Sequence, residues 1–240
     1  QRYRNVVILY ARDNVSCQLA FVFEEASLNK GIKLIKRASF FAEEKNFRTI
    51  ISQFNSDPFD AIFIASGAES AGLLTKQLRE MGIDKPILGN DTLNNNSYSE
   101  IAGKSADKTI LPSLYHEDKN NALKLEFTRS YRNKFNGQPD YNAAQGYDSM
   151  KLLAAAIARA GATSPPLISS TLHFMPSWVG ITGIHDFDAS GEMQGKKYYF
   201  QTWREGKLRK LPAVHSSYLL NRFQNHLTAK RGPNKVTDFT

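Results

Sequence analysis

A chain of 240 residues, 41% hydrophobic and 22% charged, is long enough to bury a sizeable core as one large domain or two small lobes. No window approaches the roughly 18 unbroken apolar residues that a membrane span needs, and no signal peptide opens the chain, so an exported protein would already have lost its targeting segment. One cysteine, Cys17, excludes an internal disulfide and a cysteine-rich zinc site, and reads as a small buried residue on a helix. The net charge is +8, but residues 204–240 hold eight Lys or Arg against two acids and so carry +6 of it. A basic tail is not a basic binding face, and nucleic acid is not an expected partner.

Residues 4–10 form an apolar run of strand length, followed by a helix to about Asn29 that Asn14 or Ser16 can cap and Gly31 closes. The pattern repeats as strand 32–38, helix 46–55, strand 60–65, helix 69–81 and a short strand 86–89. Such alternation predicts right-handed βαβ crossovers and a parallel sheet covered on both faces. After residues 109–112 the pattern changes: two long helices are expected at 120–135 and 141–160, ended by Asn136-Gly137 and Gly161, then a helix at 163–173. Residues 197–203 and 207–211, joined at Glu205-Gly206, read as a β-hairpin. Leu219, Leu220, Phe223 and Leu227 have helical spacing, ended by the Gly232-Pro233 stop.

Ligands on an open parallel sheet sit outside the carboxyl ends of its strands. That directs attention to the turns at 12–16, 66–69 and 90–94. The stretch FIASGAESAG at 63–72 has the G-x-x-x-x-G spacing of a phosphate loop, but Leu73 and Leu74 stand where Lys and Ser or Thr are required. It is one residue too long for a serine nucleophile elbow, and no His follows nearby. No acid–base pair for catalysis is found, and the chain reads as a binding protein and not an enzyme.

The segment Asp186-Phe-Asp188-Ala-Ser190-Gly191 imitates the first half of a calcium loop, but Lys197 occupies its twelfth position, so a turn into a strand is expected and no metal. The five histidines show no zinc spacing. Tyr198, Tyr199, Phe200, Trp203 and Arg204 alternate along a hairpin strand, which core packing explains. What remains is a set of small and polar residues on one edge. Ser66, Gly67 and Ala68 let a ligand approach a helix N-terminus that favours an anionic group, and Asn90 and Asp91 add an acceptor and a negative charge suited to an ammonium. Asp91 reads also as a cap for a helix starting near Asn94 or Asn95.

The order of these segments resembles the second half of a type I periplasmic binding protein of the branched-chain amino-acid (Leu/Ile/Val) receptor family. The resemblance rests on VVILY at 6–10 with Leu19-Ala20, FRTII at 47–51, DAIF at 60–63, LTKQLREMG at 74–82 and ILGND at 87–91 with Ile101-Ala-Gly103. YNAAQGYDSMKLL at 141–153, GITGIHDFDASG at 180–191 and the hairpin YYFQTWREGKL follow in the same order.

It implies an α/β fold in which residues 1–112 form the second-lobe core, 113–195 return to the first lobe, 196–212 supply the second-lobe hairpin and 213–240 form a basic tail. The opening first-lobe segment is not in this chain, so a fragment is expected. Helices in 120–160 would then lack the sheet they normally cover, which predicts self-association or a displaced arrangement.

The resemblance also places Asp91 where the family pairs an acid with the ligand's amino group. Gly67 and Ala68 stand where an aromatic contact is often found, and Val15 where Tyr is frequent, which implies a bulkier or different ligand. With Ser16, Ser66 and Asn90, these make the candidate ligand set. The implied partners are an amino-acid-like small molecule and an ABC permease, or a sensor module if the fold serves as a ligand-sensing ectodomain or lipoprotein regulator. The implied location is periplasmic or extracellular, with no cofactor.

Overall fold

The computed structural model describes residues 3–212. The tail helix expected near Leu219–Leu227 lies outside the described residues. Five parallel strands, β1 (Asn5–Ala11), β2 (Lys33–Phe40), β3 (Ala61–Ala65), β4 (Ile87–Gly89) and β5 (Thr109–Ser113), lie in the spatial order β2-β1-β3-β4-β5. β1 pairs with β3 from Val6↔Ala61 to Tyr10↔Ala65, and β3 with β4 from Ile62↔Ile87 to Ile64↔Gly89. Because both faces are covered, β3 is buried at every position, as a continuous apolar run requires.

The crossovers are α1 (Asn14–Leu28), α2 (Arg48–Ser52), α3 (Ala68–Glu80) and α4 (Asn96–Ala102). Asp13, rather than Asn14 or Ser16, caps α1: its backbone is extended and its Oδ1 accepts from Ser16 N–H at 2.8 Å. α2 is half the expected length because Gln77 claims its entry, accepting from Phe47 N–H and donating to the Lys45 carbonyl, both at 2.7 Å.

One face of the sheet packs on Phe47, Ile51, Leu74, Leu78, Tyr98 and Trp203, and the other on Ala20 with Phe23 stacked on Phe63 at 3.8 Å. Within this core Tyr98 OH is paired twice, lying between Thr75 Oγ1 (3.1 Å) and Thr109 Oγ1 (2.7 Å).

Helices α5 (Ala122–Phe135), α6 (Tyr141–Ala160) and α7 (Pro165–Phe174) follow, then a small hairpin of β6 (Trp178–Gly180) and β7 (Gly183–His185). Asn121 and Asp140 cap the first two helices, and left-handed Asn136 and Gly161 end them. Asp148 of α6, fully buried, receives Ile181 N–H (2.9 Å), Thr182 N–H (2.7 Å) and Thr182 Oγ1–H (2.6 Å), and lies 3.1 Å from His185 Nε2. That carboxylate fastens the β6–β7 hairpin to the helix. Outward on these helices Leu123, Phe135, Met150, Leu167 and Phe174 remain exposed.

The chain then adds β8 (Tyr199–Arg204) antiparallel to β5 and β9 (Lys207–Lys210) at the far edge. Glu205 and Gly206 both take positive φ, 52° and 69°, the geometry of a two-residue hairpin turn. The aromatics of β8 pack as expected: Trp203 is buried and donates Nε1–H to the Leu93 carbonyl at 2.9 Å, while Tyr199 meets His116 edge-on at 4.3 Å. Trp203→Phe keeps the ring but orphans that carbonyl. A loss of about 1–3 kcal/mol in urea unfolding is expected.

Candidate functional site

The register of β1, β3 and β4 brings the residues after each strand to one edge. Ser66 follows β3, Gly67 caps α3 without a side-chain hydrogen bond, and Ala68 opens that helix. The first-turn N–H groups of α3 are therefore left to an outside acceptor. No heavy atom lies within 4 Å of where a Gly67 Cβ would stand, and its φ of −64° is ordinary, so the turn opens onto space.

Asn90 and Asp91 follow β4. Thr92 Oγ1 sits 2.8 Å from the Ser66 carbonyl and 2.9 Å from Asn90 Oδ1, locking the ends of β3 and β4 together. Ser66, Asn90 and Ser16 are each buried, and act as the frame of the edge. Gly67, Ala68 and Asp91 reach solvent from it. Val15 is also exposed, one helical step from inward-facing Ser16. The reading of Asp91 as a helix cap is replaced: Asn95 caps α4, accepting from Ser97 N–H at 2.8 Å.

Two residues that local sequence patterns missed reach Asp91. Tyr141, the first residue of α6, stands close enough to the Asp91 carboxylate to feel its charge, while its oxygen accepts from Gln145 Nε2–H at 3.2 Å. Burial, and then the adjacent Asp91 charge, hold its phenol well above the ordinary value. Tyr198, ahead of β8, is raised by burial and by the same carboxylate. Asp91 thus lies between the sheet edge and the helical part of the chain.

The imitation calcium loop is a hydrogen-bonded turn. Asp188 accepts from Ser190 N–H, Ser190 Oγ–H, Glu192 N–H and Gln194 Nε2–H, between 2.6 and 3.0 Å, and Gly191 supplies the positive φ. At the opposite, amino edge of the sheet lies a groove of about 620 Å³ lined by Tyr3, Asp60, Asp84, Lys85 and Lys108. Its charges serve the fold: Lys108 pairs with Asp84, and Asp60 accepts from the N–H groups of Arg4 and Asn5, both at 2.8 Å. No helix among the described residues is long and apolar enough to cross a membrane.

A family model described as periplasmic binding protein matches residues 1–207. The chain is 22% identical over 206 residues to Leu/Ile/Val-binding protein homolog 3 of Brucella melitensis, covering 85% of this chain and 55% of that protein. Among solved structures, the branched-chain amino acid transporter substrate binding protein LivJ of Streptococcus pneumoniae, in complex with isoleucine, superposes with a TM-score of 0.79 at 28% identity, over 87% of this chain and 61% of that one. The leucine binding protein LivK of Thermotoga maritima gives a TM-score of 0.81 at 24% identity, over 88% and 60%. The chain spans about half the length of the curated relatives it matches. With an open parallel sheet, a helix N-terminus without a side-chain cap beside a partly buried acid and a family-model match over most of its length, the chain belongs to the periplasmic binding protein family, with the type I fold of its relatives.

Proposed function

We propose that the protein is a non-catalytic, extracytoplasmic solute-binding protein that delivers an amino acid or similar small polar ligand to an ABC permease. The observation that carries this reading is the pairing, on one strand edge, of the uncapped α3 N-terminus with the solvent-reaching Asp91 carboxylate. The first favours an anionic group and the second a cationic one, the two ends of a zwitterion. Gly67, Ala68 and Asp91 contact the ligand, Val15 stands at the mouth, and Ser16, Ser66 and Asn90 hold the edge in shape. Residues 1–112 and 196–212 act as the second lobe and 113–195 as part of the first. The remainder of the first lobe covers the apolar face of α5–α7 and closes over the ligand, shifting the population toward the form the permease recognises.

The test is a thermal-shift screen of the complete two-lobed protein against amino acids, amides and small acids. At ligand concentrations 100-fold above Kd, stabilisation of about 2.7 kcal/mol is expected, and stabilisation by none of them refutes the reading. The openness over Gly67 gives a sharper check. Gly67→Tyr restores an aromatic at the turn, should cost the fold about 1 kcal/mol or less, and is expected to shift preference toward smaller side chains. The basic segment after Leu211 favours a second reading, a sensor whose chain continues into a signalling module; the downstream gene sequence separates the two.

A further inference from the structure

Helix α1 turns Ser16, Ala20 and Ser27 toward the sheet. Its outer face is apolar for a helix in water: Val15 is 64% exposed, Phe21 58%, Val22 57% and Leu28 59%. Asn14, Gln18, Glu25 and Asn29 are exposed between and beside them. Read over 14–29, the outer face is N-V-x-x-Q-x-x-F-V-x-x-E-x-x-L-N.

That series is complementary to its own reverse. Turning the helix end for end about the Phe21–Val22 peptide lays Phe21 on Val22, Gln18 on Glu25, Val15 on Leu28 and Asn14 on Asn29. Just beyond the helix, exposed Asp13 falls opposite exposed Lys30. Helical spacing alone makes the positions symmetric, but it does not choose the residue types. Here apolar meets apolar, an amide donor meets a carboxylate, and an acid meets an ammonium. A two-fold contact demands this self-complementarity of a single surface.

We propose that α1 is the interface of a homodimer, packed antiparallel on α1 of a second copy with the two-fold axis between Phe21 and Val22. The arrangement sets the two helix dipoles head to tail. It places no like charges opposite each other, because Glu25 faces Gln18, and the neighbouring Glu24 is already engaged by Arg37 at 3.2 Å. A lipid surface fits less well, since an interfacial helix flanks its apolar stripe with Lys and Arg and this one carries amides and acids there. A 15-residue helix is about 22 Å long. A stripe of that length buries only a few hundred Å² per copy, at the low end for specific contacts, so the dimer is weak and reversible.

The test is sedimentation of the 240-residue chain from micromolar concentration upward. A concentration-dependent dimer is expected, weakened at least tenfold by Phe21→Asp or Leu28→Asp, neither of which is among the candidate ligand residues. Gln18→Lys, facing Glu25, should tighten the dimer, and Gln18→Glu should loosen it; circular dichroism should show both folded.

Register is read by disulfide trapping in a Cys17→Ser background. Gln18→Cys and Glu25→Cys chains should cross-link when mixed but not alone, because the two Gln18 positions lie about 10 Å apart along the helix axes. A monomer at all concentrations, a dimer indifferent to Phe21→Asp, or equal self-linking by Gln18→Cys each overturns the proposal. A dimer formed through the α5–α7 face would give the second of these results, and failure here leaves the solute-binding reading untouched.

Discussion

Asp148→Ala is expected to cost about 3–5 kcal/mol of stability, the range for removing one partner of a buried charged network. The residue is fully buried, and four groups converge on it: the N–H groups of Ile181 and Thr182, the Thr182 hydroxyl, and His185 at 3.1 Å. Lys196 closes the outer side, its Nζ 2.9 Å from His185 Nε2 and 3.2 Å from Thr182 Oγ1. Alanine would leave the two buried N–H groups with no acceptor, beside a void, and leave the Thr182 hydroxyl with His185 Nε2 alone at 3.1 Å. Gly180 belongs to the same construction, since a Cβ there would collide with the carboxylate. Gly180→Ala is therefore also expected to destabilise, by about 1–3 kcal/mol.

The acid limb of stability carries the same signature. Burial pushes the Asp148 pKa up, but the hydrogen bonds from His185, Thr182 and Ile181 outweigh it and hold the pKa below the ordinary carboxylate value. A depressed folded pKa contributes stability that is present above the unfolded value, about 3.9, and lost as pH falls through the folded one. The native protein should therefore lose stability steeply below about pH 4, and Asp148→Asn should show a flatter acid limb from a lower plateau. Urea midpoints at neutral pH and across the acid range measure both. A neutral-pH loss under about 1 kcal/mol would sink the account.

What the chain disclosed beforehand, and what it concealed, divides by sequence separation. The apolar runs of β1 and β3, the Ala-rich α6 and the Glu205-Gly206 turn were legible because each is decided by neighbours within a few residues. The cap of α1 was misplaced by one residue or more because Asp13, Asn14 and Ser16 all offer a side-chain oxygen there, and only backbone geometry chooses Asp13.

Asp148 looked like an ordinary member of YDSMKLL because its partners stand 33 to 37 residues later, where no periodicity connects them. The link from Asp91 to Tyr141 was hidden for the same reason. Asn90 and Ser66 stand at the edge but are buried in it, where Thr92, a residue with no motif of its own, holds the Asn90 side chain and the Ser66 backbone carbonyl together.

For a ligand carrying an ammonium group, Asp91→Asn in the complete two-lobed protein is expected to weaken binding by about 2–5 kcal/mol, at least about 30-fold in Kd. The asparagine keeps the shape and removes the charge, so the loss reports the ion pair. Asp91 keeps partial solvent access, and replacing its charge by an amide of the same shape should leave unfolding free energy within about 0.5 kcal/mol. Tyr141 is the polar neighbour of the same carboxylate, its phenol oxygen held by Gln145. Tyr141→Phe removes the hydroxyl beside that carboxylate, and a loss of about 1 kcal/mol, roughly fivefold, is expected. A ligand with the carboxylate but no amine should be nearly indifferent to Asp91→Asn, because it uses the α3 N-terminus alone. Calorimetric titration of both ligands against both variants resolves the two ends of the site separately. Unchanged affinity of the amine ligand in Asp91→Asn would remove Asp91 from the site and leave the α3 N-terminus to carry the recognition of the carboxylate end.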